Sequence, residues 1–149
     1  MAVLVCADAS LALKLISRDE LTPQVEGIWR YWRRIGADVV TPPLFFAEVT
    51  SVIRASVFFK RILPEFGEQA FSAFLSLEVR EENPPDLQSV AWQLAQQYKQ
   101  PRAYDAQYLA VASILGCELW TADRRLVNAV SAPWVRWVGE YKVSDLNSV

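Results

Sequence analysis

Four acidic residues of this 149-residue chain stand among apolar or small neighbours. They are Asp8 in VCADAS, Glu48 in FFAEVT, Asp105 in AYDAQY and Asp123 in WTADRR. If the fold gathers them, their like charges raise one another's pKa and destabilise the protein unless a cation neutralises them. Carboxylate oxygens suit Mg²⁺ or Mn²⁺, and such a site hydrolyses phosphodiesters by activating a water molecule. The four acids are therefore predicted to be both catalytic residues and metal ligands.

Each acid also has an ordinary structural explanation when it is taken singly. Asp8 and Asp123 could cap helices, and Asp105 could complement a helix dipole from the first turn. Glu48 is harder to explain in this way, because its neighbours are apolar and ionised glutamate is rarely buried without a partner. A salt bridge to an arginine elsewhere in the chain is the alternative for Glu48.

Histidine is absent from the chain. Its absence excludes Ser-His-Asp and Cys-His catalysis, His-ligated zinc, and acid–base chemistry by imidazole. Cys6 and Cys117 lie far apart in apolar segments, so we expect two buried free thiols rather than a disulfide. Polar chemistry would therefore depend on carboxylates, hydroxyls, lysines or a bound metal, with the metal activating the water.

The net charge of −2 and the pI near 5.2 are those of a protein with a mixed surface. Proteins that hold nucleic acids by neutralising phosphates usually carry a basic face and have a high pI. A nuclease with this charge is therefore expected to bind its substrate at a metal-centred site with a few local arginines.

Hydrophobic periodicity predicts strands that alternate with helices. The predicted strands lie at 3–7, 39–41, near Val79, 118–121 and 134–138. The predicted helices lie at 10–15, 22–35, from 44 to about 60, after Pro64, across 87–98, at 103–115 and from Asp123. The wide apolar face of the helix that follows Leu44 indicates a central position for it.

This order favours one compact α/β domain over residues 1–149, built around a mostly parallel sheet. Ligands of such sheets bind at the carboxyl ends of the strands. Asp8 ends the first predicted strand and Asp123 closely follows Thr121 at the end of another, so both should face one edge. No secretory signal or membrane-spanning run is visible, so we expect a cytoplasmic location without a membrane partner.

Four segments together resemble PIN-domain proteins, particularly the VapC-type toxins of bacterial toxin–antitoxin pairs. The segments are DASLALK, PPLFFAEVTSVIR, YDAQYLAVA and LWTADRRL, which contain the four acids in the order and approximate spacing of that family. The resemblance spans about Val3 to Val138. One such segment would be a weak signal, whereas four in register are strong.

The resemblance implies a three-layer α/β/α sandwich and an endoribonuclease that depends on Mg²⁺ or Mn²⁺. The four acids fall on the family's acidic positions. Ser10 and Thr121 match small hydroxyl residues that would support the acids by hydrogen bonds. The resemblance also implies an RNA substrate, a homodimer, and an antitoxin protein that binds along helices near the site.

Arginines and tryptophans supply candidate binding residues. Arg102, Arg124 and Arg125 lie next to the acids and could hold RNA phosphates, although solvated surface arginines are the ordinary interpretation. The six tryptophans could stack on bases, but most are expected to pack in the core or an interface. Trp29 and Trp32, which stand beside three arginines, are the best candidates for a partner surface.

Other functions compete with the nuclease hypothesis. A receiver domain also gathers acids at strand ends, but Asp8 has no adjacent acid and no lysine occupies the late strand. A haloacid-dehalogenase-type phosphatase would place a second aspartate where Ser10 stands. A PIN-like domain could bind RNA or a partner without cleavage, although it would then have no reason to keep four costly acids.

Overall fold

The structure is a computed structural model that describes residues 2–142. The strands of this region are β1 (Leu4–Ala7), β2 (Asp38–Thr41), β3 (Arg80–Glu81), β4 (Glu118–Thr121) and β5 (Val135–Trp137). The helices are α1 (Ala9–Leu13), α2 (Thr22–Ile35), α3 (Leu44–Phe58), α4 (Pro64–Leu75), α5 (Leu87–Gln97), α6 (Tyr104–Leu115) and α7 (Arg124–Val130). A short 3₁₀ helix follows at Val138–Glu140. The predicted order of elements is confirmed, and β3 begins one residue after Val79.

The five strands form one sheet in the order β3-β2-β1-β4-β5, and each pairing between neighbours is parallel. Strand β1 is central, since Val5 aligns with Val39 of β2 and with Glu118 of β4. The chain builds outward from β1 to β2 and β3, and then continues with β4 on the other side. The carboxyl ends of β1 and β4 therefore meet at the switch point where open α/β sheets bind ligands.

Helices cover both faces of the sheet, because successive strand residues point to opposite sides. Val5 and Ala7 belong to the core on the side of α2 and the 3₁₀ helix. Cys6 belongs to the larger core on the side of α3, α5 and α6. The predicted three-layer α/β/α sandwich is confirmed, and the sheet is wholly parallel in residues 2–142 rather than mostly so.

Two glycines end helices that lead into the central strands. Gly36 after α2 and Gly116 after α6 both have a φ of +66°, in the left-handed region that suits glycine. Beyond each glycine, a backbone N–H closes the turn: Ala37 donates to the Trp32 carbonyl at 2.9 Å, and Cys117 donates to that of Ala112 at 3.0 Å. The predicted helix ends are confirmed at both positions.

The tryptophans of α2 lie in the core. Trp29 is 8% exposed, Trp32 is 3% exposed, and the Trp29 indole N–H donates to the Leu11 carbonyl at 3.4 Å. The prediction that they form a partner surface is therefore wrong. Helical spacing places them on the apolar face of α2 that packs against the sheet, whereas Arg33 and Arg34 complement the dipole at its C-terminal end.

Helix α3 is half covered rather than central. Phe45, Val49 and Ile53 are buried, but large apolar side chains remain exposed along the other side of α3, on α4 and between the two helices. These residues are Val52, Phe58, Phe59, Leu63, Phe66 and Leu75. We call them the α3–α4 apolar surface.

Neither a membrane-spanning helix nor a disulfide occurs within residues 2–142. None of the helices there combines the length and apolar character that a bilayer crossing requires. The two cysteines are free thiols, as predicted, although Cys117 is half-buried where full burial was expected.

Candidate active site

Strands β1 and β4 bring two of the predicted acids to the same edge of the sheet. Asp8 directly follows β1, and its backbone N–H donates to the Trp120 carbonyl of β4 at 3.4 Å. Asp123 follows β4 by two residues and caps α7, where its Oδ1 accepts the Arg125 backbone N–H at 3.0 Å. Asp8 precedes α1 without a side-chain capping bond. Both acids therefore follow strands at the same edge of the sheet, as predicted. The alternative explanation, that the side chain caps a helix, fits Asp123 but not Asp8.

The other two acids are carried by helices. Glu48 lies just over one turn into α3, and Asp105 lies in the first turn of α6. Glu48 is half-buried and accepts a hydrogen bond from the Tyr108 hydroxyl on Oε1 at 2.9 Å. No salt bridge to Glu48 occurs within residues 2–142, so the proposed arginine partner is replaced by a tyrosine.

Asp105 is the acid that interacts with the other three. Burial raises the pKa of Asp8 to about 6; hydrogen bonds from Ser10 and Thr121 oppose that shift, and the charge of Asp105 adds to it. Burial also raises the pKa of Glu48, and Asp105 raises it further. The pKa of Asp105 itself is raised by desolvation and then by the charge of Asp123. The four carboxylates therefore form one electrostatic cluster, which we call the acidic cluster.

Two hydroxyl residues connect Asp8 to the turn after β4. Ser10 Oγ donates to Asp8 Oδ1 at 2.5 Å and accepts the Ala122 backbone N–H at 2.8 Å. Thr121 Oγ1 lies 3.3 Å from Ser10 Oγ and accepts the Asp123 backbone N–H at 3.0 Å. Thr121 is fully buried and Asp8 is 6% exposed, so this network orients Asp8 inside the protein.

The three predicted RNA-contacting arginines differ in their surroundings. Arg125 pairs with Asp123, with Nε 3.4 Å from Oδ1. The Arg124 guanidinium stacks over the Trp137 ring, 4.7 Å from its centroid. Arg102 is exposed in the loop before α6 and forms no ion pair with the acids that the structure describes.

The donor chemistry of the acidic cluster fits a hard divalent cation. All four members offer carboxylate oxygens, and a cation would relieve the burial cost and the mutual repulsion that raise the pKa values of Asp8, Glu48 and Asp105. Across residues 2–142, however, no three acids or cysteines stand in an arrangement that could already hold an ion. Adjustment of the side chains to a bound ion would be easiest at Asp105, the exposed residue of the four, since Asp8 is buried and Glu48 and Asp123 are half-buried.

Tyr108 is a site residue that sequence reasoning missed. It is 2% exposed, and its hydroxyl is the hydrogen-bond donor to Glu48. Burial and the charge of Glu48 raise its pKa well above the ordinary value, so the hydroxyl stays protonated and donates. Its position three residues after Asp105 puts both on one side of α6, and this spacing was the available signal.

Comparisons with known proteins agree with this arrangement. The family model of the PIN domain matches residues 5–131, a span that contains the whole acidic cluster. No curated protein matches the sequence significantly.

Three solved structures have a similar fold. PAE2754 from Pyrobaculum aerophilum has a TM-score of 0.66 and 18% identity, over 100% of both chains. A toxin–antitoxin complex from Klebsiella pneumoniae has a TM-score of 0.63 and 16% identity, over 90% of this chain and 97% of that one. VapC20 from Mycobacterium tuberculosis, a toxin that cleaves the sarcin–ricin loop, has a TM-score of 0.62 and 21% identity, over 89% and 98%.

At these identities the three structures establish a shared fold. The match to the family model, by contrast, spans most of the chain and is independent of the structural comparison. This match also excludes the two alternative identities considered for the chain, a receiver domain and a dehalogenase-type phosphatase. The chain belongs to the PIN domain family.

Proposed function

We propose that this chain is a VapC-like endoribonuclease that hydrolyses RNA at the acidic cluster with Mg²⁺ or Mn²⁺. The supporting observation is the electrostatic interaction among Asp8, Glu48, Asp105 and Asp123, of which Asp8 and Asp123 follow β1 and β4 at the sheet's switch point. We further propose that residues 1–149 form a single nuclease domain that acts in the cytoplasm.

In this proposal Asp8, Glu48, Asp105 and Asp123 would hold the cation. When bound, Mg²⁺ or Mn²⁺ supplies an activated water and stabilises charge on the phosphate oxygens. Ser10 and Thr121 keep the Asp8 carboxylate in place, and Tyr108 does the same for Glu48. Arg125, held beside Asp123, and the exposed Arg102 would bind phosphates of the RNA.

Cleavage of structured RNAs in the presence of Mg²⁺ or Mn²⁺ tests the reaction. We expect cleavage to disappear with EDTA and to return when excess Mn²⁺ is added, because the acids alone cannot activate water. Products are resolved by denaturing electrophoresis. Cleavage that continues undiminished in EDTA would contradict the mechanism.

Replacing Tyr108 with Phe should weaken cation binding by about tenfold, within the 10–100-fold range typical when a partner of a metal ligand is lost. The substitution removes the hydroxyl that orients Glu48 and keeps the buried ring. Calorimetric titration of Mn²⁺ into the RNA-free protein measures the effect, and thermal unfolding reports on the fold.

Tyr98→Phe is the matched control, since Tyr98 is a half-buried tyrosine at the end of α5, without a bond to an acid of the cluster. Its Mn²⁺ affinity should equal that of the wild type. If Tyr108→Phe lowers thermal stability but binds Mn²⁺ as tightly as the wild type does, Tyr108 has a packing role alone.

An antitoxin is the proposed protein partner, and the α3–α4 apolar surface is its proposed contact. That surface is formed by α3, which carries Glu48, by α4 and by the connection between them, and its six large apolar residues are exposed in the monomer. One of the similar structures is itself a toxin–antitoxin complex. A short reading frame immediately upstream of the gene would support the toxin over a housekeeping nuclease. The family resemblance also leads us to propose a homodimer, which light scattering tests.

RNA binding without cleavage is the second candidate function. One observation favours it: within residues 2–142 no three acids are already arranged to hold an ion. The cleavage assay distinguishes the two functions, because a domain that only binds would retain RNA without cutting it.

A further inference from the structure

Two exposed aromatic side chains lie on the helical hairpin that carries Asp105. Tyr104 directly precedes Asp105 and is 62% exposed, and Trp92 of α5 is 65% exposed. The other five tryptophans of residues 2–142 are buried or half-buried. Large exposed rings are candidates for ligand contacts, because they do not contribute to the hydrophobic core.

The packing of the hairpin puts both rings toward the end at which α6 begins, and Tyr104 there is the direct neighbour of Asp105. Helices α5 and α6 are joined by a short connection and pack side by side, with the amides of Gln88 and Gln107 exchanging two hydrogen bonds of 2.9 Å. Trp92 lies one turn beyond Gln88 along α5, and Tyr104 lies one turn before Gln107 along α6. Residues at this spacing share a helix face, so both rings flank the amide pair on its Asp105 side.

Arg102 adds a positive charge to the same end of the hairpin. It stands two residues before Tyr104, is exposed, and forms no ion pair with an acid of the described region. We call Trp92, Arg102 and Tyr104 the aromatic rim. Rings that can stack beside an arginine that can hold phosphate are the two elements of single-strand recognition.

We propose that the aromatic rim binds unpaired RNA bases next to the bond that the acidic cluster cleaves. This inference rests on the proposed function and adds to it a base-stacking site formed by three exposed residues outside the acidic cluster. Stacking by Trp92 and Tyr104 would hold a base on each ring, while Arg102 would hold the intervening backbone. The rim suits RNA better than an apolar protein partner, because polar amides lie beside its two rings and an exposed arginine accompanies them.

Binding of single-stranded RNA to an Asp8→Asn background without metal tests the rim separately from cleavage. The probe is a fluorescent RNA of about ten nucleotides, within the usual site size, together with the same strand carrying abasic residues. We expect Trp92→Ala and Tyr104→Ala each to weaken binding of the intact strand about tenfold by anisotropy. Trp92→Phe and Tyr104→Phe should retain most of the affinity, since each keeps a ring. The abasic strand should bind weakly to every variant.

Phe58→Ala and Phe59→Ala are the matched controls, because these rings are 63% exposed on the α3–α4 apolar surface. They should bind RNA like the parent. The proposal is contradicted if Trp92→Ala and Tyr104→Ala both bind the intact strand as tightly as the parent does. It is also contradicted if the two control variants lose as much affinity as the Trp92 and Tyr104 variants do. Cleavage by the otherwise wild-type chain is measured in parallel. If the chain cleaves RNA and neither Trp92→Ala nor Tyr104→Ala changes RNA binding, this inference is wrong but the proposed nuclease function is not. If both substitutions weaken RNA binding but the chain does not cleave RNA, this inference is supported and the proposed nuclease function is contradicted.

Discussion

Replacing Asp8 with Asn is expected to lower the rate of RNA cleavage by more than about a hundredfold, beyond the 10–100-fold that loss of a ligand's partner typically costs. Asn keeps the size of Asp and can still accept the Ser10 hydrogen bond, but it removes the negative charge. Asp8 is the most deeply buried member of the acidic cluster and is held by the Ser10 and Thr121 network. Its carboxylate is therefore the one least replaceable by a neighbour. Single-turnover cleavage rates at saturating Mn²⁺ measure the effect.

The matched control is Asp86→Asn, since Asp86 is exposed before α5 and its side chain makes no capping bond. Its cleavage rate should equal that of the wild type. Thermal unfolding of Asp8→Asn should show a folded protein, so that a lost rate reports on chemistry. A cleavage rate within a fewfold of the wild type would remove Asp8 from the proposed site.

Without metal, the same substitution should stabilise the protein at neutral pH by about 3 kcal/mol. Burial raises the pKa of Asp8 from 3.8 to about 6, so the folded state holds this proton more tightly than the unfolded state does. The cost of ionising Asp8 is absent below the unfolded pKa, grows between pH 3.8 and about 6, and is constant above that. The contribution of Asp8 to wild-type stability should therefore fall as pH rises through this window.

Urea unfolding of the wild type and Asp8→Asn at a series of pH values isolates the contribution of Asp8. The difference in the free energy of unfolding should be near zero at the acidic end and reach its full value at neutral pH. Glu48 and Asp105 also have raised pKa values, so the contribution of each to the stability of the wild type likewise falls as pH rises. Added Mn²⁺ should recover stability at neutral pH, by about 2.7 kcal/mol at a hundred times its dissociation constant. If the difference in the free energy of unfolding between the two proteins does not vary with pH, ionising Asp8 does not destabilise the folded state and the prediction is wrong.

The positions of Asp8 and Asp123 could be predicted from local pattern because each follows a strand. A short apolar run predicts a buried strand, and parallel strands of one sheet present their carboxyl ends at the same edge. The position of Asp105 depended on the family resemblance, yet its charge raises the pKa of Asp8 and Glu48, and its own pKa is raised by the charge of Asp123. Nothing in helical spacing shows where the first turn of α6 lies relative to β1 and α3.

Periodicity also says which residues share a helix face without saying what covers that face. Trp29 and Trp32 were expected at a partner surface because arginines stand beside them, but α2 turns its aromatic side to the sheet. The apolar residues of α3 indicated a central helix, but Val52 and Phe58 remain exposed. Burial depends on the order in which the elements pack, and that order is a property of the whole chain.

The sequence by itself determined the α/β class, the helix ends at Gly36 and Gly116, the exclusion of histidine chemistry, and the four acids as one hypothesis. These follow from composition, from the periods of strand and helix, and from backbone preferences, which all act over a few residues. Only the tertiary structure decided that the Tyr108 hydroxyl donates a hydrogen bond to Glu48, that Asp105 interacts electrostatically with the other acids, and that Trp92 is exposed. Each of these depends on contacts between elements distant along the chain, which local patterns do not encode.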